Sequence, residues 1–250
     1  MPGIGVWVTD RGDDLLREER AICKLMLPAD AYNQLRAAGK DWYAGKLGIA
    51  AKVILEARIA HTSRKFEWPW LIVHGCISPG IRILDAGGCG NSPLKYRMAS
   101  LGGLVTVADI DEASWRKEES YGLLAVYSGR ISFCRADLMQ LPFSDGSYDR
   151  VVCASTLEHL SDPLQAVQEM WRVLKPGGRL LISMDVANYH RWNHTVDSAI
   201  AAWILKELAV TIEPPTTGVH ELIFKEIDPQ PGEPAAVSLR VLCFYSDKPS

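Results

Sequence analysis

Short apolar runs alternating with amphipathic stretches begin after Pro79-Gly80 and continue nearly to the end of the chain. Before that point the pattern is helical. From Asp13 to about Arg64, Leu15, Leu16, Ile22 and Leu25, and then Ile49, Val53, Ile54, Ala57 and Ile59, recur at three- and four-residue steps, the period of helices with one buried face. Pro28, Gly39 and Gly45 punctuate this stretch into two or three helices, and the aromatic cluster Phe66-Glu67-Trp68-Pro69-Trp70 closes it around a proline. Residues 1–78 are therefore expected to be a helical N-terminal extension, and residues 79–250 a unit of different texture.

In that unit, residues 81–84 read as a buried strand, followed by a glycine-rich turn. Ser92-Pro93 then offers an N-cap and a first-turn proline for a helix that runs to Leu101 and stops at Gly102-Gly103. Residues 104–108, 131–136, 148–154 and 179–184 are further strands, and 112–121 a polar helix. Asp162-Pro163 opens a helix with Leu164, Val167, Met170, Trp171 and Leu174 on one face, ended by Pro176-Gly177-Gly178. Residues 196–208 read as a helix and 237–245 as a β-forming run; a candidate strand at 221–227 lies between two loop clusters. Strands alternating with helices predict an α/β fold, a doubly wound parallel sheet with crossover helices.

With 250 residues, 48% hydrophobic and 23% charged, the chain has room for one substantial core and an ordinary globular balance. A net charge of −3 argues against a surface that neutralises a run of phosphates, so no nucleic-acid partner is expected. No apolar stretch reaches the ~18 residues of a membrane span, and Met1 to Asp10 lacks the plan of a signal peptide, so a cytoplasmic protein is expected. Cys23, Cys76, Cys89, Cys134, Cys153 and Cys243 form no CxxC pair and are expected as free thiols. Of these, Cys134, Cys153 and Cys243 sit in apolar runs and read as small buried hydrophobes.

Candidate chemistry starts at Asp85-Ala86-Gly87-Gly88-Cys89-Gly90-Asn91-Ser92, between a strand and a helix N-terminus. Missing Cβ atoms let a ligand approach the backbone, and the free N–H groups of the helix favour an anionic group. Asp109, at the end of the second strand, is placed to grip ribose hydroxyls, in a nicotinamide enzyme as much as in any other nucleoside-binding sheet. Asp85 stands where a dinucleotide fingerprint has its first glycine or an apolar residue, and no G-x-G-x-x-G spacing occurs, which weakens the nicotinamide reading.

Leu84-Asp85-Ala86-Gly87-Gly88-Cys89-Gly90 followed by Val105-Thr106-Val107-Ala108-Asp109-Ile110-Asp111 resembles the first two motifs of class I methyltransferases. Ala136-Asp137-Leu138 with Leu141-Pro142-Phe143, Tyr148-Asp149-Arg150-Val151-Val152, Ser155-Thr156-Leu157-Glu158-His159-Leu160 and Leu174-Lys175-Pro176-Gly177-Gly178 follow in the family's order. They are most similar to the branch that includes quinone-biosynthesis methyltransferases. The resemblance implies a seven-stranded, mostly parallel Rossmann-like sheet with a reversed last strand near residues 237–245, and S-adenosyl-L-methionine as cofactor.

It further implies that Asp85, Gly87, Gly88 and Gly90 hold the methionine part and that Asp109 accepts from both ribose hydroxyls. Ile110 would pack on the adenine, Asp137 accept from its exocyclic amine, the Leu138 backbone address the ring, and Ser155 complete the set. The family places glycine at the second and fourth residues after its acidic one. Here the fourth is Cys89, so either the turn is one residue longer or Cys89 takes the glycine's place at a steric cost.

Methyl transfer draws much of its rate from alignment of acceptor and methyl group, so few residues are diagnostic. For a hydroxyl acceptor, His159 is the first candidate base, with a structural histidine beside Glu158 as the equal alternative. His190 and His194 could face an acceptor but lack the pattern of a metal site, and Asp185 is a further polar candidate. The cluster from Arg64 to Trp70 suits a seam between extension and core, or a lid. The expected function is O- or N-methylation of a small-molecule acceptor. The alternatives are a non-catalytic module that binds the cofactor and, more remotely, a nicotinamide-dependent oxidoreductase.

Overall fold

The computed structural model describes residues 64–89, 92–120, 129–187, 196–197, 218–227 and 237–250, together with Arg17, Tyr127 and Ile204. The rest of the expected extension, Gly90, Asn91, His190 and His194 lie outside these residues. The strands are β1 (Arg82–Ala86), β2 (Leu104–Asp109), β3 (Ile131–Arg135), β4 (Tyr148–Ala154), β5 (Leu174–Ala187), β6 (Val196–Asp197), β7 (Gly218–Ile227) and β8 (Val237–Asp247). The fully described helices are α1 (Arg64–Gly75), α2 (Leu94–Ser100), α3 (Glu112–Ser120) and α4 (Pro163–Val173), with a 3-10 turn at Leu157–His159.

The strands form one eight-stranded sheet in the order β3-β2-β1-β4-β5-β8-β7, with β6 paired to β5. β1 to β5 run parallel, and β8 is antiparallel to both β5 and β7, the reversed strand expected at the end of the chain. Strand order turns back at β1, whose neighbours are β2 and β4, so the carboxyl ends of these strands frame a crevice.

Alternation along the strands gives the sheet two apolar faces. Leu84, Val151, Leu180, Ile182 and Phe244 pack with Ala166, Val167, Met170 and Val173 of α4 on one side. Ile83, Val105, Val107, Val152 and Leu181 pack with Trp70 and Leu71 of α1, Leu94 and Met98 of α2 and Trp115 of α3 on the other. Helix ends follow local chemistry. Asp162 caps α4 by accepting from the Gln165 N–H, with proline in the first turn. α2 closes with Gly102 at φ 95°, the Gly103 N–H donating to Met98 O and the Gly102 N–H to Ala99 O.

Four local expectations need correction. The eighth strand, β6, pairs in parallel with Val186 and Ala187, so the helix expected from residue 196 does not begin there. Ile204, further along, is helical and buried; at Val196 the pairing with Val186 of β5 overrides the local pattern. β5 begins at Leu174, not Arg179, because Lys175-Pro176-Gly177-Gly178 forms a bulge between the pairs Tyr148–Leu174 and Arg150–Arg179. There the Gly177 N–H donates to Lys248 O and the Lys248 N–H to Gly178 O. Pro69 does not end the N-terminal helix; α1 continues through it to Gly75, held by the buried Trp68, Trp70 and Leu71. Cys153 and Cys243 are buried as expected, but Cys134 is half-buried because β3 is an edge strand.

α1 is clasped to the sheet at its C-terminal end. The Arg179 guanidinium donates twice to the Asp247 carboxylate and once to His74 O, and lies 4.1 Å from the centre of the Tyr245 ring, on which His74 stacks. Arg179→Ala should therefore cost about 2 kcal/mol of stability in urea unfolding. Arg179→Lys, which cannot span both carboxylate oxygens, should recover less than half of that. Wild-type stability for the alanine variant would refute the clasp.

Candidate functional site

β1 ends in Ala86 with Asp85, 1% exposed, just before the turn. Gly87 takes φ 77° and its N–H donates to Ala108 O, tying the turn to β2. A Cβ on Gly87 would stand 2.3 Å from the Thr156 methyl, and a Cβ on Gly88 2.2 Å from an Asp85 carboxylate oxygen. Glycine is thus required at both positions, for backbone conformation and close approach at the first and for close approach at the second. Cys89 is not among the described residues with positive φ, so it carries no left-handed strain, and its N–H donates to Asp109 Oδ2 at 3.0 Å.

Lys95, on α2, was not foreseen as part of this region. Its side chain is fully buried and its ammonium donates to Gly88 O at 2.8 Å. The Gly88–Cys89 peptide is thereby fixed on both sides, its carbonyl held by Lys95 and its N–H by Asp109.

Asp109 closes β2 half-exposed, with Oδ1 accepting from the Asp111 N–H and Oδ2 from Cys89. Each carboxylate oxygen keeps further acceptor capacity, which suits a pair of ligand hydroxyls. Ile110 follows at 64% exposure, one of two large hydrophobic residues standing out in water among those described. An apolar ledge beside a carboxylate matches a flat ring attached to a sugar. Asp137 lies exposed in the turn after β3, its Oδ1 accepting from the Met139 N–H, while the Leu138 side chain is buried in the core.

The third wall is the turn after β4. Ser155 is buried at φ 44°, its N–H donating to Ser183 O and its hydroxyl to Glu67 of α1. Thr156 follows, its hydroxyl donating to Ala154 O. His159 ends the 3-10 turn with its side chain exposed. The structure thus gathers Asp85, Gly87, Gly88, Asp109 and Ile110 around one turn, sets Asp137 and Leu138 beyond the end of β3, and places Ser155 and His159 after β4. Glu67 and Thr156 are further members that sequence patterns did not single out; a charged residue inside the otherwise apolar cluster ending at Trp70 was the available signal. In that cluster Trp68 and Trp70 lie in the core.

Residues 84–182 match the family described as Methyltransferase domain. Over 156 residues the chain is 33% identical to the ubiquinone/menaquinone biosynthesis C-methyltransferase UbiE of Hahella chejuensis, a match covering 60% of this chain and 63% of that one. The chain thus spans less than two thirds of this relative's length. The fold is shared with CrArsM, an arsenic(III) S-adenosylmethionine methyltransferase of Chlamydomonas reinhardtii, at a TM-score of 0.55 and 18% identity over 69% of this chain and 65% of that one. It is shared equally with the [4+2]-cyclase SpnF, at a TM-score of 0.55 and 20% identity over 73% and 80%.

Gly87→Ala should lose about 2 kcal/mol or more, from left-handed strain plus overlap with Thr156. Gly80→Ala, at φ 85° with open space around it, should lose only about 1 kcal/mol. Equal losses in urea unfolding would show that Thr156 does not confine the turn.

Proposed function

We propose that the chain carries a class I S-adenosylmethionine-dependent methyltransferase domain and that it methylates a small-molecule acceptor in the crevice at the carboxyl ends of β1, β2 and β4. The observation that carries this reading is the pairing of Asp109 with the glycine turn: one carboxylate oxygen holds the Cys89 N–H while both retain acceptor capacity beside the exposed Ile110. The cradle at Gly87 and Gly88, which a Cβ at either position would fill, fits the cofactor.

When bound, S-adenosylmethionine supplies a methyl group activated on a sulfonium sulfur. Asp85 and the turn from Gly87 through Gly90 would hold its amino-acid part, and Asp109 would accept from the ribose hydroxyls. Ile110 would support one face of the adenine, Asp137 accept from its amine and the Leu138 backbone meet the ring. Ser155 would take part from the third wall. The acceptor enters from the side of the β4 turn, where His159 would remove a proton from a hydroxyl or amine. The named relative methylates carbon, so carbon nucleophiles belong beside oxygen and nitrogen acceptors in any screen. A second reading, cofactor binding without methyl transfer, draws on the fold shared with SpnF, which is named as a cyclase.

Asp109→Ala should weaken S-adenosylhomocysteine binding tenfold to a hundredfold in calorimetry, a total loss of about 1.5–3 kcal/mol of charge-assisted hydrogen bonding. NADH should not bind. Binding by the wild type that is unaffected in the variant would remove Asp109 from the site. Binding with no methylation across a broad acceptor panel would favour the second reading.

A further inference from the structure

We infer that Glu67 is a positioning residue for the cofactor turn, acting from α1 through Ser155 and Thr156. The inference rests on the reading that the turn after β1 holds the cofactor. Glu67 is 0% exposed, in a stretch of α1 whose neighbours Trp68, Trp70, Leu71 and Ile72 are all buried apolar groups. An apolar residue would serve a packing seam without the desolvation cost of a carboxylate. The carboxylate instead gathers two hydroxyls, Oε2 accepting from Ser155 Oγ and, at 2.8 Å, from Ser183 Oγ.

Only one of those bonds leads toward the cofactor turn. Ser183 lies within β5, where it pairs with Ala154 and Cys243 and its backbone is set by the sheet. Ser155 has left the strand and stands at φ 44°, one of two non-glycine residues with positive φ among those described. Such a conformation persists where surrounding contacts over-determine it. Here they are the Ser155 N–H on Ser183 O and the Ser155 hydroxyl on Glu67.

That conformation directs the next residue. Thr156 fills the space in front of Gly87, so that its methyl and hydroxyl would stand 2.3 and 2.4 Å from a Cβ there. Releasing Ser155 frees Thr156, and the turn loses the wall that confines it. Glu67, 88 residues before Ser155 in the chain, therefore tunes the cofactor turn from α1.

The test uses the full chain and S-adenosylhomocysteine calorimetry, with thermal melting alongside, for the wild type and for Glu67→Ala, Glu67→Gln, Ser155→Ala, Ser183→Ala and Asp109→Ala. Glu67→Ala and Ser155→Ala should each weaken binding about tenfold, and the double variant little more than either, because they break one chain of contacts. Glu67→Gln, whose amide oxygen can accept from both hydroxyls, should stay within about threefold of the wild type. Ser183→Ala should melt lower, as Ser155→Ala does, yet bind normally.

A simple packing role would make affinity indifferent to all of these while melting temperature falls. Wild-type affinity in Glu67→Ala, or equal losses in Ser155→Ala and Ser183→Ala, overturns the inference. Should Glu67→Ala fail to fold, Glu67→Asp decides: its shorter side chain withdraws the carboxylate from the Ser155 hydroxyl, binding should again weaken about tenfold, and wild-type affinity in it overturns the inference. Binding weakened by Asp109→Ala but not by Glu67→Ala or Ser155→Ala defeats this inference and leaves the site standing. No binding by the wild type defeats both.

Discussion

An Asp85 carboxylate oxygen lies 2.2 Å from where a Cβ on Gly88 would sit, so the chain can leave β1 in this way only through a residue without a side chain. That restriction shapes the rest of the crevice. With Gly88 free to pass close to Asp85, its carbonyl receives the buried Lys95 ammonium and the following N–H reaches Asp109. β1 pairs with β2 on one side and β4 on the other, so the same turn meets the carboxylate at the end of β2 and Thr156 beyond the end of β4. A parallel sheet whose order turns back at its centre offers this meeting point, and the glycines let the backbone use it.

Helix α1 makes the arrangement deeper than a turn between strands. α1 is tied at its far end by guanidinium groups on its last carbonyls, Arg179 on His74 O and Arg150 on Gly75 O, where positive charge complements the helix terminus. Its middle is anchored by Trp70 and Leu71 in the core, and near its start Glu67 reaches Ser155 just past the end of β4 and Ser183 within β5. The helix is therefore a strut fixed along its length, which is the mechanical condition for a side chain on it to set a turn elsewhere.

How much of this was legible depended on whether the cause was local. The central strands were readable because they are covered on both faces, and strands buried in that way appear as continuous apolar runs such as Ile83-Leu84 and Val151-Val152. Gly87 and Asp109 were readable because the demand for a missing Cβ or for an acceptor at a strand end is met by residue type at a fixed spacing. The start of β5 was not, because Pro176-Gly177-Gly178 has the composition of a stop and becomes a bulge only when Lys248, far along the chain, completes its hydrogen bonds. β6 likewise exists through pairing with Val186 and Ala187, which no local period announces. Glu67 and Lys95 were invisible as site residues because charge in a sequence predicts exposure, and only the tertiary partners Ser155, Ser183 and Gly88 explain their burial.

Cys89 shows the same distinction in one residue. Counted from Asp85 it occupies a place where the family carries glycine, which suggested either a longer turn or a strained one. The backbone at Cys89 has no positive φ, and its contribution to the turn is an N–H given to Asp109, which any residue except proline can supply. The steric demand of the turn falls on Gly87 and Gly88 instead, where Thr156 and Asp85 leave no room for a Cβ. A half-buried cysteine is therefore compatible with this turn, its side chain packing against the α1–α2 face of the core while its N–H holds Asp109.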